Sequence, residues 1–166
     1  MCFMLALRFE NGYQSATLWK TPRLAFGAMS EKIKILVVED EPAVAALITF
    51  LLSRVGYDVE TAFTGRRGLE LATTRKFDLI TLDVDLPGMN GFDICRELKQ
   101  RWISHRTPII FLSGNALEER RAMALELGAV DFIAKPFIVD DFMERVALHI
   151  SVAETSGTAT ATGEAA

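Results

Sequence analysis

The chain has 166 residues, half of them hydrophobic, and a formal net charge of −4. That length suits one domain with appendages and a real core, and with no basic stretch it offers no electrostatic footprint for nucleic acid. Cys2 and Cys95 are too few and too isolated for a disulfide frame or a zinc site, which fits a reducing compartment.

Residues 1–31 show no sustained period. Met1 to Leu7 is apolar, but no basic region precedes it, and Arg8 and Glu10 end it too early for a signal peptide or a membrane span. The segment reads as a poorly ordered extension, or as a docking segment built on Phe9, Tyr13, Leu18 and Trp19. A cytoplasmic protein with no membrane partner is expected.

From residue 33 the chain alternates regularly. Ile33 to Val38 is a continuous apolar, β-branched run, the pattern of a parallel strand covered on both faces. Pro42 to Arg54 follows at helical spacing, with Val44, Leu47, Ile48 and Leu51 expected inward and Gly56 as a C-cap. Tyr57 to Phe63 predicts a strand, and Gly65 to Arg75 a helix with Leu69, Leu71 and Ala72 inward. Asp78 to Leu82 and Pro108 to Leu112 predict strands, with a helix over Phe92 to Arg101 between them. Leu117 to Leu127 predicts a helix closed by Gly128, Val130 to Ala134 a strand, and Phe142 to Ile150 a last helix with Asp140 and Asp141 at its start. Residues 151–166, built from Ser, Thr, Ala, Gly and Glu with no aromatic residue, read as a disordered tail or the start of a linker.

Strand followed by helix, repeated in this way, predicts a doubly wound α/β fold: a five-stranded parallel sheet with helices on both faces. Right-handed crossovers open all strand C-termini on one edge, where such sheets bind ligands. Glu39, Asp40, Asp83, Ser113 and Lys135 all fall on that edge. Three carboxylates in one crevice repel by about 3 kcal/mol per pair at an effective dielectric near 20. Either one is protonated or a divalent cation binds, and an oxygen-only donor set suits Mg²⁺. His105 and His149 lie off this edge and read as surface or helix residues. A metal beside an Asp invites phosphoryl chemistry, with the carboxylate as nucleophile and Lys135, the Ser113 hydroxyl and backbone N–H groups serving the transferred oxygens. Glu118-Glu119-Arg120-Arg121 reads as a solvated helix face with i,i+4 pairing, and no phosphate-cradling loop of the G-x-x-x-x-G-K-[ST] type is present.

Four stretches carry a resemblance: Val38-Glu39-Asp40-Glu41, Leu82 through Asp83-Val84-Asp85-Leu86-Pro87-Gly88-Met89-Asn90 to Gly91, Phe111-Leu112-Ser113-Gly114, and Asp131 through Phe132-Ile133-Ala134-Lys135-Pro136 to Phe137. In order, each at a strand end, they resemble the response-regulator receiver domain of two-component signalling, over Lys32 to about Ile150. The resemblance implies a flavodoxin-like strand order 2-1-3-4-5 and a switch that is not an enzyme in its own right. Asp83 would be the phosphoacceptor, and Glu39, Asp40, Asp83 and the backbone carbonyl of Asp85 would hold Mg²⁺. Ser113 would be the switch hydroxyl, Lys135 the phosphate-binding lysine with a cis bond before Pro136, and Phe132 the switch aromatic. Beyond the resemblance, Asp85, together with Asn115, is expected to tune the lifetime of the aspartyl-phosphate.

Ser113 stands where Thr is commoner, Phe132 where Tyr is frequent, and Asp85 adds a charge at the site mouth. The implied donor is a sensor histidine kinase. The implied output is a protein-binding surface, formed by the last two helices and the last strand, that takes a downstream partner or pairs two copies on phosphorylation. No apolar periodicity follows Ile150, so a stand-alone receiver is expected, with a phosphorelay intermediate feeding a histidine phosphotransfer domain as the alternative. Asp83-Val84-Asp85 also imitates the D-x-D of haloacid-dehalogenase-type phosphatases, but there the motif ends the first strand.

Overall fold

A computed structural model describes residues 32–101 and 106–157. The expectations for residues 1–31, for His105 and for the end of the tail lie outside the described residues. The order is β1 (Lys34–Val38), α1 (Pro42–Arg54), β2 (Asp58–Ala62), α2 (Gly65–Thr74), β3 (Leu79–Asp83), α3 (Gly91–Gln100), β4 (Ile109–Ser113), α4 (Glu118–Glu126), β5 (Asp131–Ala134) and α5 (Val139–Gly157). All strand pairs are parallel and the sheet order is β2-β1-β3-β4-β5, as expected.

Side-chain alternation splits the core into two layers. Leu36, Val38, Ile80, Leu82, Ile109 and Phe111 face one way, onto Leu71 of α2, onto Phe92, Ile94 and Leu98 of α3, and onto Ala124 of α4. Ile35, Val37, Leu79, Ile110, Leu112 and Ile133 face the other way, onto Ile48 and Leu52 of α1 and onto Phe142, Met143 and Val146 of α5. These central strands are buried on both faces, which is why they read as unbroken apolar runs.

Two expectations about helices are corrected. On α1 the buried residues are Ala45, Ile48 and Leu52, whereas Leu47 is 44% exposed. The helix is apolar nearly all round, so periodicity alone does not fix which stripe meets the sheet. The last helix runs to Gly157 rather than stopping at Ile150. Residues 151–156 contain neither Gly nor Pro, and extending a formed helix is easy compared with starting one. Asp140 and Asp141 do sit in its first turn. Among the described residues no helix is long and apolar enough to cross a membrane.

Candidate functional site

The strand order reverses between β1 and β3, which leaves a crevice at their C-terminal ends. Glu39 and Asp40 follow β1, Asp83 ends β3, Ser113 ends β4 and Lys135 follows β5. Backbone pairing runs on through these ends. Glu39 N–H donates to the Ala62 carbonyl at 3.0 Å, Val84 N–H to Leu112 at 3.0 Å, and Lys135 N–H to Ser113 at 2.7 Å. The functional side chains therefore grow from fixed backbone. Below the floor, Gly91 begins α3 against Asp83, so close that a Cβ there would lie 2.2 Å from the Asp83 carbonyl oxygen. Asn90 caps the same helix, accepting from Phe92 N–H at 2.8 Å.

Carboxylate oxygens of Glu39, Asp40 and Asp83 come within 4.8 Å of one another. Glu39 and Asp83 are buried, and Asp40 is half-buried. Lys135 Nζ donates to Asp83 Oδ2 at 2.6 Å and to both oxygens of Glu39 at 3.0 and 3.1 Å. Its three protons are all used. Asp83 Oδ1 accepts from the Asp85 N–H at 3.0 Å.

Burial pushes the Glu39 carboxyl up to about 7; Lys135 works against this and the Asp83 charge adds to it. Burial alone would lower the Lys135 pKa, but its bonds to Asp83 and Glu39 outweigh that and hold it above the ordinary lysine value. One ammonium does not balance three clustered carboxylates. The donors are all oxygen and lie within 4.8 Å of one another, so the set fits a hard divalent cation.

Ser113 is at this edge but is turned to its own loop. Its hydroxyl donates to the Asn115 carbonyl at 3.0 Å and accepts from the Asn115 N–H at 3.1 Å. Asn115 thus meets the site through its backbone. Phe132 is buried in the core layer that contains Phe111 and Ala124. The Lys135–Pro136 bond is cis, as the resemblance implied.

The solvated helix face expected over residues 118–121 holds for Glu118, Glu119 and Arg121, which are exposed, but not for Arg120, which is half-buried. Arg120 reaches back to Asp85, with Nη1–Oδ2 and Nη2–Oδ1 both 2.9 Å, and Nη1 also lies 3.3 Å from Ser113 Oγ. The bond from Arg120 holds the Asp85 carboxyl below the usual range, against a smaller opposing effect of burial. Arg121 Nη1 donates to the Phe132 carbonyl at 3.4 Å. His149 lies on α5 as expected, half-buried, with Nε2 3.4 Å from Asp131 Oδ2. An open crevice of about 510 Å³ leads to Asp83, with Asp85, Gly114 and Lys135 at its polar end and Val44, Leu47, Pro136 and Phe137 along an apolar rim.

Residues 35–147 match the family model described as the response regulator receiver domain. The chain belongs to that family. Receiver domains are phospho-accepting switches, and this one has relatives among full-length regulators. It is 39% identical over 113 residues to the response regulator ArlR of Staphylococcus saprophyticus, covering 68% of this chain and 50% of that protein. It is 42% identical over 113 residues to the alkaline phosphatase synthesis transcriptional regulatory protein PhoP of Bacillus subtilis, covering 68% of this chain and 46% of that one. The chain spans about half the length of these curated relatives.

Among solved structures, a CheY-like receiver domain from Methanospirillum hungatei superimposes with a TM-score of 0.71 at 27% identity, covering 75% of this chain and 98% of that one. The receiver domain of the sensor histidine kinase PA1611 from Pseudomonas aeruginosa, solved with a magnesium ion in its active-site cleft, gives 0.67 at 32% identity, covering 72% and 98%.

Proposed function

We propose that Asp83 accepts a phosphoryl group from a phosphohistidine on a sensor histidine kinase. The observation that carries this reading is the setting of the Asp83 carboxylate at the floor of an open crevice, with Lys135 on one oxygen and the Asp85 N–H on the other. A carboxylate oxygen attacks phosphorus, the P–N bond breaks, and the imidazole leaves with the bonding pair and takes up a proton. The apolar rim of Val44, Leu47, Pro136 and Phe137 suits a helix that carries the histidine.

Glu39, Asp40, Asp83 and the backbone carbonyl of Asp85 would hold Mg²⁺. When bound, it supplies positive charge to the phosphoryl oxygens and lets the carboxylates share one crevice. Lys135 turns from Glu39 and Asp83 to a phosphoryl oxygen, and Ser113 donates its hydroxyl to another. Phe132, already inside the core layer, would be the switch aromatic that responds when Ser113 turns. Asp85 at the crevice, with Asn115 next to Gly114 in the loop after β4, sets how long the phosphoryl group survives.

The output is a protein-binding surface on α4, β5 and α5. Exposed Leu117, Met123, Leu125, Val130 and Leu148 support that reading, since they give the face apolar area for a partner. The switch works in the cytoplasm. Incubation with Mg²⁺ and a small acyl phosphate, followed by intact mass measurement, tests the reading. One phosphoryl adduct is expected, and it should vanish when EDTA replaces Mg²⁺.

A further inference from the structure

α4 is weakly anchored. Only Ala124 of its nine residues is buried, and Leu117, its N-cap, provides no side-chain cap. Arg120 places a cation in the first turn, where the helix dipole disfavours it; Glu118 and Glu119 offset this in part. What holds Arg120 there lies outside the helix: both oxygens of Asp85 at 2.9 Å and Ser113 Oγ at 3.3 Å. The first turn of α4 is thus tied to the loop after β3 and to the end of β4 through one guanidinium.

A serine hydroxyl has one proton to give and two sites to accept with. In Ser113 the proton goes to the Asn115 carbonyl, and the two sites are filled by the Asn115 N–H and by Arg120. The hydroxyl must release these partners before it can donate to a phosphoryl group on Asp83.

We infer that Arg120 is a positioning residue that latches Ser113 in the unphosphorylated arrangement and makes release of α4 depend on occupancy of Asp83. The inference rests on the reading of Asp83 as the phosphoacceptor. When Ser113 turns to the phosphoryl group, Arg120 loses that acceptor and keeps only Asp85, whose side chain is 48% exposed. The first turn of α4 is then tied to the loop after β3 alone, no longer to the end of β4, and it loosens from the sheet edge. By reciprocity, the latch opposes phosphoryl binding by the factor with which it stabilises the resting helix.

A double-mutant cycle tests this with beryllofluoride, a phosphoryl mimic, titrated calorimetrically in the presence of Mg²⁺. Arg120→Met keeps the apolar stem and removes the donors. Its general loss of charge acts in both the native and the Ser113→Ala backgrounds and cancels in the cycle. The expected result is that Arg120→Met favours beryllofluoride binding about three- to tenfold more in the native background than in Ser113→Ala, the range of one hydrogen bond. Equal effects in the two backgrounds would show Arg120 to be a distant charge and overturn the latch. A coupling of opposite sign would also overturn it, since Arg120 would then help Ser113 reach the phosphoryl group. If the native protein binds no beryllofluoride, the phosphoacceptor reading itself fails and the latch falls with it. Amide exchange over residues 114–121 of the unliganded protein gives a second readout: it should quicken in Arg120→Met, and unchanged rates contradict the latch.

Discussion

Lys135 Nζ and Asp83 Oδ2 meet at 2.6 Å although 52 residues separate them in sequence. The same ammonium also holds both oxygens of Glu39, so it is the main internal counterion of two buried carboxylates. Removing it leaves them facing each other and Asp40 without compensation. Lys135→Ala is expected to cost about 2–4 kcal/mol in EDTA, in line with breaking a largely buried pair. Mg²⁺ should restore part of that loss. Urea denaturation with and without Mg²⁺ checks this; a loss that Mg²⁺ leaves untouched would speak against a shared cation site.

Glu39 supplies a pH dependence. Its carboxyl stands at about 7 in the folded protein against an ordinary 4.5. A raised carboxyl pKa means that the folded state holds a proton which the unfolded chain gives up. Its contribution to stability is complete below about pH 4.5 and is lost as pH rises through about 7. The metal-free protein should therefore lose about 3 kcal/mol from this group across that window. Mg²⁺ competes with the same proton, so its apparent affinity should climb with pH and level off above about 7. Calorimetric titrations at several pH values check the slope, and Glu39→Gln should flatten it.

Gly91 and Gly114 offer a contrast in stability. A Cβ on Gly91 would press on backbone atoms of Asp83 and Val84 that cannot move aside, whereas one on Gly114 meets nothing within 4 Å. Gly91→Ala is expected to cost about 3 kcal/mol or more. Gly114→Ala should stay within about 0.5 kcal/mol. Thermal or urea unfolding of the pair decides it, and equal costs would refute the close approach.

Thr81 lies on β3 between Val37 and Ile110, fully buried, and its hydroxyl has no hydrogen-bond partner. An unpaired buried hydroxyl is destabilising. Thr81→Val keeps the branched shape and removes the polar atom. A gain of about 1 kcal/mol is expected, read as a higher urea midpoint with an unchanged slope. A loss would mean that the hydroxyl has a partner, such as an ordered water.

The sheet was legible because its central strands are buried on both faces, so residues 35–38 and 109–112 stand out as apolar runs followed at once by the polar Glu39 and Ser113. Glu39, Asp83, Ser113 and Lys135 were found for the same reason: a parallel sheet gathers its strand ends on one edge. The face of α1 was not legible, because Leu47 and Leu52 are equally apolar and only packing against the sheet buries Leu52 and leaves Leu47 at the crevice. Arg120 was missed because its partner, Asp85, is 35 residues away. The one local hint was a cation in a first helical turn, where the dipole argues against it.

The most direct test of the central claim is chemical trapping of the phosphorylated residue. The protein is loaded with a small acyl phosphate and Mg²⁺ and reduced with borohydride, which turns an aspartyl-phosphate into homoserine. Peptide mass mapping then locates the change. Homoserine at position 83 alone, absent from Asp83→Asn, is the expected result. Homoserine at Asp40 or Asp85, or modification that survives Asp83→Asn, would contradict the assignment of Asp83 as the phosphoacceptor.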